Sequence, residues 1–334
     1  MPNAAKSIAV TPGTDSRIHM KVYLTFDIEI WCNNWAELDQ RFPASFDRYV
    51  YGRSTHGDFA LPATLRILQS RGLCGVFFVE PLFAARFGQS YLDTVVGMIL
   101  SAGQDVQLHL HPEWTDEIRP AILPNTKGKR QHLFLYSELE QAELIRIGKH
   151  ALEVAGAPAI RVFRAGSYAA NRATYKALCR NDIWIDSSLN EIDPVSGKDL
   201  DVPDYFSTQR EIDGIVVYPV TVFTDGLGRR RPAQVGACGF AEMKDALISA
   251  QASGCEHFVI VSHNFEMLKS ESSEPDWIVV RRFELLCDFL AAQRGRFEVG
   301  TFEPSLVSKA GLRPHASALS TGVRWAEQIY RRLA

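Results

Sequence analysis

Two carboxylates stand two positions apart in VYLTFDIEIW (22–31), a segment that otherwise has the composition of a buried strand. Because alternate side chains of an extended segment share a face, we expect Asp27 and Glu29 to point the same way from an apolar background. Two such charges repel each other unless a proton, a cation or water separates them, and an unpaired buried charge is costly. The pair therefore indicates either a metal site or a solvated strand end.

A second pair of polar side chains shows the same alternation in DVQLHLHPEW (105–114). An extended backbone places the imidazoles of His109 and His111 on one face, with Glu113 two residues further on. Imidazole and carboxylate together are a normal ligand set for zinc and other first-row divalent ions. The spacing therefore favours a metal role for the two histidines over ordinary core packing.

Two further side chains stand at the ends of candidate strands. His263 follows the apolar run FVIVS and can donate or accept a proton near neutral pH. Arg164, in VFRAGSY, can orient a catalytic carboxylate through a bidentate ion pair. Taken singly, each is as compatible with a structural role as with a functional one. Their repetition at strand ends favours one shared site, because barrel active sites collect there.

Short β-branched or aromatic runs alternate with stretches of helical period, which is the pattern of an α/β protein. Eight strands are predicted, near residues 21–28, 75–80, 105–111, 160–166, 183–188, 215–220, 258–264 and 297–302. Six helices are predicted between them, near residues 61–69, 91–102, 137–155, 172–180, 240–252 and 279–293. The pattern favours a distorted (β/α) barrel, with a doubly wound open sheet as the competing architecture.

Three regions are predicted along the chain. Residues 1–20 form an N-terminal extension, residues 21–307 the barrel domain, and residues 308–334 a C-terminal tail that ends in an amphipathic helix. Within the barrel, the polar stretch 115–141 is expected to be a long excursion over the barrel mouth, since long loops are often functional. A charge run of this kind is nevertheless more often solvated surface.

The 334-residue chain is 46% hydrophobic and has a net charge of -3, which gives no general reason to bind nucleic acid or an anionic membrane surface. Six scattered cysteines without a C-x-x-C pair indicate free thiols in a reducing compartment. We find neither a signal-peptide core nor an apolar run of the roughly 18 residues that a transmembrane span requires. A cytoplasmic location is expected, and the oligomeric state stays open.

These segments, in the order in which they occur, resemble the polysaccharide deacetylase family (NodB-homology domain, carbohydrate esterase family 4). TFDIE is similar to the family's T-F-D-D-G motif, with Glu29 as the metal carboxylate moved one place along. GLCGVFFVEPLFA, FRAGSY, DSS and VSHNFEM resemble the later strand, arginine, aspartate and histidine motifs. The resemblance spans about residues 21–302 and looks closest to a branch from bacterial surface-polysaccharide loci, sometimes called WbmS-like. It implies an α/β fold, a distorted (β/α) barrel of the polysaccharide deacetylase type.

The resemblance also implies roles for individual residues. Asp27 would be the general base, Arg164 would align it, and His263 would be the general acid. The aromatic side chains close to the motifs are candidates for stacking on a sugar ring, namely Trp31, Trp114 and Tyr168.

One divalent metal ion, with zinc the favoured candidate, is implied by the same resemblance. Glu29 and His109 would bind it together with either His111 or Glu113. We favour His111, because two imidazoles on one strand face, about 6 to 7 Å apart at the backbone, can close around one ion. Glu113 would reach that ion only if Pro112 turns the chain.

The function implied is metal-dependent hydrolysis of an N-acyl group, with acetyl favoured, from an aminosugar. A chain without an export signal would act on a nucleotide sugar, a lipid-linked glycan or another surface-polysaccharide intermediate. Two alternatives use the same site for other amides, as a sugar deformylase or as a hydrolase of cyclic amides. A third alternative, from a different class, is a non-catalytic glycan-binding pseudoenzyme.

Overall fold

The computed structural model describes residues 19–32, 34–124, 128–200, 209–270, 272–304 and 312–333. The strands are β1 (Met20–Ile28), β2 (Arg53–Ser54), β3 (Gly57–Asp58), β4 (Val76–Val79), β5 (Asp105–Leu110), β6 (Val162–Ala165), β7 (Ile185–Asp186), β8 (Arg210–Ile212), β9 (Ile215–Val217), β10 (Val222–Thr224), β11 (Arg230–Pro232), β12 (His257–His263) and β13 (Phe297–Val299). The α-helices are α1 (Leu38–Phe46), α2 (Leu61–Ser70), α3 (Leu82–Phe87), α4 (Gln89–Ser101), α5 (Glu138–Val154), α6 (Arg172–Cys179), α7 (Phe240–Ala252), α8 (Trp277–Ala292) and α9 (Ala318–Leu333).

The main sheet follows the order β12, β1, β4, β5, β6, β7, β9, β8, and β13 pairs with the start of β1. Its pairings are parallel except between β8 and β9. From β1 to β7 the strand order follows the chain, and β12 returns to lie beside β1, whereas a doubly wound sheet reverses its order at a switch point. The predicted distorted (β/α) barrel is therefore confirmed, in the form of a curled half-barrel.

Strand β1 shows how the barrel interior is organised. Val22, Leu24 and Phe26 face the larger core under the helices, whereas Tyr23 belongs to a separate aromatic cluster on the other face. In that cluster the ring of Tyr23 stacks on Phe302 at 4.4 Å between centroids and meets Tyr218 edge-on at 5.3 Å. Because side chains alternate along a strand, Asp27 lies on the same interior face as Tyr23, further towards the carboxyl end.

All eight predicted strands and all six predicted barrel helices are present, with boundaries shifted by a few residues. The sequence did not predict α1, α3 or the short strands β2, β3, β8, β10 and β11. Strands of two or three residues are too short to show a periodic pattern, and α1 contains Pro43, which argues against a helix interior. None of the described helices is both long enough and apolar enough to cross a membrane.

The stretch 115–141 is described apart from residues 125–127. Lys129 donates from Nζ to the carbonyl oxygen of Glu113 at 3.0 Å, and the ammonium lies 3.6 Å from the ring centroid of Trp35. This part of the stretch therefore folds back onto the residues that follow β5. Its role as a cover over the barrel mouth stays a prediction.

The C-terminal helix α9 packs on the barrel, and its main anchor is a buried ion cluster. Arg324, 6% exposed, lies 2.8 Å from a carboxylate oxygen of Glu242 and 3.3 Å from one of Asp225. Thr321 donates to the other oxygen of Glu242 at 2.8 Å. The predicted domain boundary at 307/308 and most of the N-terminal extension lie outside the described residues.

Replacing Arg324 with leucine leaves two carboxylates buried without their cation. We expect the free energy of unfolding to fall by about 3 to 5 kcal/mol, the usual cost of removing one partner of a buried ion pair. Arg332→Leu, on the exposed side of the same helix, should change it by less than about 0.5 kcal/mol. Urea denaturation of both variants measures the difference, and equal losses would contradict an anchoring role for Arg324.

Candidate active site

The polar residues singled out in the sequence come from two pairs of adjacent strands, β12 with β1 and β5 with β6, and β4 lies between the pairs. Asp27 is paired in register with His263 across β1 and β12, and His109 is paired with Arg164 across β5 and β6. Since these strands are parallel, their carboxyl ends meet at one edge of the sheet, which is where barrel enzymes place their active sites. The structure therefore brings together residues that lie far apart in the sequence.

Glu29 is the centre of the cluster, just beyond the end of β1. One carboxylate oxygen, Oε1, lies 2.9 Å from Nε2 of His109 and 2.8 Å from Nε2 of His111. The other oxygen, Oε2, accepts a hydrogen bond of 2.7 Å from the indole nitrogen of Trp31. All three residues of the Glu29–His109–His111 group are buried, so water does not screen their interaction.

The second nitrogen of each imidazole is also engaged. Nδ1 of His109 lies 2.8 Å from the carbonyl oxygen of Arg164, which can only accept, so this nitrogen carries a proton. Nδ1 of His111 lies 3.1 Å from Oε1 of Glu113, and a carboxylate also accepts. With neutral rings, both Nε2 lone pairs would then point at an oxygen that has no proton to offer. The arrangement requires a positive charge, either as imidazolium or as a metal ion.

A divalent ion fits this donor set. Bonds of about 2.0 to 2.2 Å at tetrahedral or octahedral angles place donor atoms about 3 to 3.5 Å apart, close to the spacing around Glu29. Burial disfavours the charged forms, yet attraction to His111 and the hydrogen bonds from both histidines hold the pKa of the Glu29 carboxyl well below its usual range. The same attraction raises the pKa of His111 well above its usual range against the effect of burial.

A second possible metal group, consisting of Asp27, Glu29 and His263, also has its donor atoms within 4.8 Å of one another. The carboxylate of Asp27 is also bound by Arg164, which donates from Nη1 to Oδ1 at 2.7 Å. The two groups share Glu29, so one ion would contact it in either case. The group with two histidines offers the better donors, because among the described residues the Nε2 atoms of His109 and His111 contact Glu29 and no other partner.

Arg164 holds Asp27 from inside the barrel. Its side chain has no exposed surface and is fixed by donating Nε to the carbonyl oxygen of Ser187 at 3.1 Å and Nη2 to the hydroxyl of Ser187 at 3.0 Å. The guanidinium carbon lies 4.2 Å from the ring centroid of Phe78. These contacts orient one remaining N–H group towards Asp27. The contact is made by Nη1 alone, so the bidentate pair that the sequence suggested is not what the structure shows.

His263 lies opposite, with its Nδ1 held by Glu266. The Nδ1 to Oε1 distance is 2.9 Å, and Glu266 is itself fixed by Gln234, by Ser262 and by the backbone N–H of Gly236. Burial lowers the pKa of His263, but the bond to Glu266 and the nearby carboxylates outweigh burial and raise the pKa to about 9. Since an unfolded histidine has a pKa of about 6.5, this pairing stabilises the fold fully below that pH. The stabilisation is lost as the pH rises through 9.

Sequence reasoning missed two positioning residues in HNFE (263–266). Asn264 accepts from the backbone N–H of Glu29 at 3.1 Å and donates to the carbonyl oxygen of the same residue at 3.1 Å, which ties the end of β1 to that of β12. Glu266 orients His263. The i, i+3 spacing of histidine and glutamate was the available signal for Glu266. Nothing local indicated the contact of Asn264 with a residue 235 positions away.

A cavity of about 180 Å³ opens onto the cluster, lined by Asp27, Glu29, Trp31, His109, His111, Ala165, Ser167, Tyr168 and His263. Gly166 lies beside it, and a Cβ there would stand 2.7 Å from the ring of His111. The backbone then turns left-handed at Ser167 and Tyr168 (φ 51° and 54°), a conformation that usually costs energy and is found at functional sites.

Of the three aromatic residues suggested for sugar stacking, Trp31 and Tyr168 line this cavity and Trp114 does not. A short 3-10 turn after β5 (Pro112–Trp114) carries Trp114 into the core, where it is 2% exposed. There its ring meets Trp35 edge-on at 5.0 Å between centroids. The same turn places Glu113 behind His111, away from Glu29, with Oε2 buried and without a hydrogen-bond partner among the described residues.

Comparison with known proteins supports the fold assignment. No protein-family model and no curated protein matches the chain. A solved structure from Mycobacterium smegmatis, provisionally described as a polysaccharide deacetylase, is 19% identical and covers 90% of this chain and 99% of its own, with a TM-score of 0.50.

Two further similar structures come from carbohydrate esterase family 4. One from Streptomyces lividans, in complex with acetate, is 14% identical over 87% of this chain and 97% of its own, with a TM-score of 0.43. A CE4 family pseudoenzyme from Bacillus anthracis is 13% identical over 84% of this chain and 64% of its own, with a TM-score of 0.41. The likeness to the Mycobacterium smegmatis structure, at a TM-score of 0.50 and 19% identity, shows the barrel fold alone, and the chemistry has to be argued from the site.

Removing the charge of Glu266 should lower the pKa of His263. For Glu266→Gln we expect the pKa of His263 to fall by about one to three, because the carboxylate that contacts the imidazole is replaced by a neutral amide of the same shape. NMR titration of the metal-free protein measures this value. Ser262→Ala removes one hydrogen bond to Glu266 but keeps the charge, and it should leave the pKa of His263 near that of the original protein. If the pKa of His263 were unchanged in Glu266→Gln, the carboxylate of Glu266 would not be what raises it.

Proposed function

We propose that this protein is a metal-dependent hydrolase that removes an N-acyl group, with acetyl favoured, from an aminosugar. The observation that carries the proposal is the arrangement around one small cavity. A Glu29–His109–His111 group that requires a positive charge lies next to an arginine-bound carboxylate, Asp27, and a carboxylate-bound histidine, His263. Amide hydrolysis needs these three functions, namely an electrophile, a base and an acid.

We assign the metal ligands to Glu29, His109 and His111. Two imidazole nitrogens and one carboxylate oxygen leave coordination positions open for water and substrate. Glu113 is assigned a supporting role, since it contacts Nδ1 of His111 from the side away from Glu29. Partners of this kind fix the ring orientation and tautomer of a ligating histidine. Zinc is the favoured ion because its sites commonly combine histidine with carboxylate.

A bound divalent ion would supply polarisation of the acyl oxygen and a lower pKa for a water molecule. Asp27 accepts the proton that this water loses as its oxygen attacks the acyl carbon. Arg164 aims Asp27 at the cavity through its hydrogen bond of 2.7 Å. His263, whose Nδ1 is held by Glu266, donates a proton from Nε2 to the leaving amine as the C–N bond breaks. The products are a carboxylic acid and the free aminosugar.

Trp31 and Tyr168 line the cavity beside the polar cluster. The ring of a sugar whose N-acyl group enters this cavity would therefore lie beside both side chains. Aromatic faces commonly pack on the apolar faces of such rings. Within this class we favour a nucleotide-sugar, lipid-linked or surface-polysaccharide intermediate as the substrate, as expected for a cytoplasmic enzyme of the WbmS-like branch.

Metal content distinguishes the assigned ligands. We expect purified protein to hold one divalent ion per chain, and Glu29→Gln or His111→Ala to lose most of it, because each removes a direct donor. Glu113→Gln should keep the ion with at most a weaker affinity, on the order of 10- to 100-fold, typical of a supporting partner. Elemental analysis after dialysis decides between them. If His111→Ala kept its full metal content and Glu113→Gln lost it, Glu113 would be the ligand and His111 the supporting residue.

Replacement of the base separates catalysis from metal binding. Asp27→Asn should abolish release of acetate from N-acetylated sugar intermediates while it retains the ion, because Asp27 is bound to Arg164 and is not an assigned ligand. Acetate and formate are measured in parallel, so that formate release alone would indicate the deformylase alternative. Near-normal turnover by Asp27→Asn would remove this residue from the mechanism. Protein that binds no metal and releases neither acid would support the pseudoenzyme alternative.

A further inference from the structure

Helix α9 has its apolar side turned outward. Its large apolar side chains are exposed by 44% to 80%, namely Leu319, Val323, Trp325, Ile329 and Tyr330. The turn between β10 and β11, whose Gly226 N–H bonds to the hydroxyl of Thr321, adds Leu227 at 60% exposure. A contiguous apolar patch on the surface usually marks a site of interaction with a protein or a membrane.

The inward side of the same helix is polar. Besides the cluster around Arg324, Glu327 pairs with Arg282 of α8 at 2.6 Å, and Arg331 pairs with Asp276, the N-cap of α8, at 2.6 Å. An amphipathic helix on a water-soluble barrel ordinarily buries its apolar face. Here buried ion pairs hold the helix on the barrel, and the apolar face stays available for a partner.

The charges around this face are positive. Arg229 and Arg332 are exposed and, together with Arg231, Trp325 and Ile329, line a cavity of about 410 Å³ along the helix. The guanidinium of Arg229 lies 5.9 Å from the ring centroid of Trp325. Between residues 318 and 332 the one acidic residue is Glu327, which is bound to Arg282. A partner with negative charge and an apolar layer would complement this surface.

The helix lies near the edge of the sheet that carries the site. Its contacts run along the N-terminal turns of α7 and α8, and in a (β/α) barrel those turns lie at the carboxyl ends of the strands. The carbonyl oxygen of Gly236 accepts from Arg282 and Arg331, while its N–H binds Glu266, the partner of His263. The inward contacts of α9 therefore reach the same end of the barrel as the residues around the cavity.

We propose that α9 docks this protein onto the interface of an anionic lipid bilayer. Its exposed face combines aliphatic side chains with tryptophan and tyrosine, which favour the headgroup region, and arginines that attract anionic lipid. A second copy of this chain fits less well, because a two-fold interface would set one arginine group against the other. The net charge of -3 averages over the whole surface and does not describe this local group.

The test measures binding of the full chain to vesicles, independently of any enzymatic activity. Flotation is carried out with vesicles of phosphatidylcholine alone and of phosphatidylcholine mixed with phosphatidylglycerol. We expect binding to the anionic vesicles and little to the neutral ones. Ile329→Glu and Arg332→Glu should each reduce the bound fraction about tenfold. Matched controls, Leu139→Glu on α5 and Arg66→Glu on α2, alter exposed residues elsewhere and should bind as the original chain does.

Thermal unfolding of each variant verifies that it is folded, and light scattering measures its oligomeric state. Three results would overturn the proposal: no vesicle binding by the original chain, equal binding to neutral and anionic vesicles, or equal loss in the controls. A dimer that dissociates in Ile329→Glu and does not bind vesicles would show that a second copy covers the helix instead. Each result leaves the proposed hydrolysis untouched, because none uses turnover as its measure.

Discussion

The two histidines of the site each have one ring nitrogen bound on the far side of the cluster, and this constraint directs the other nitrogen at Glu29. His109 is held by a backbone carbonyl of β6 and His111 by Glu113, so neither ring can turn away without losing a buried hydrogen bond. The Nε2 atoms of both histidines therefore lie next to one carboxylate oxygen of Glu29, and this arrangement requires a positive charge. Two neighbouring residues fix the position of these groups. Trp31 donates to the second oxygen of Glu29, and Gly166, which has no side chain, leaves room for the ring of His111.

Much of this could be predicted from the sequence, because the relevant signals are periodic. Alternation along β1 and β5 placed Asp27, Glu29, His109 and His111 towards one site, and the order of strands and helices predicted a barrel. Trp114 was predicted near the substrate because it is close in sequence, but a single 3-10 turn rotates it into the core. The contact of Asn264 with Glu29 depends on the pairing of β1 with β12, and no local pattern encodes that pairing.

The C-terminal helix illustrates a different limit. Its period predicted an amphipathic helix correctly, but a period reveals only that two faces differ and not which face packs inward. The outcome was decided by buried partners elsewhere in the chain, Asp225 and Glu242, which match Arg324 and Thr321. Hydrophobic patterning predicts a buried apolar face, and here three ion-pairing arginines of α8 and α9 override it.

The pairing of β1 with β12 also bears on how the protein is made. The proposed base and one metal ligand lie near the start of the chain, whereas His263, Asn264 and Glu266 arrive more than 200 residues later, as the 235-position separation of Asn264 from Glu29 shows. During synthesis β1 is made long before β12, so the edge of β1 that pairs with β12 stays exposed until then. Contacts between such distant segments form slowly and leave open edges that aggregate. The ribosome must therefore deliver nearly the whole barrel before the site is complete, so truncated chains would carry half a site and an unprotected strand.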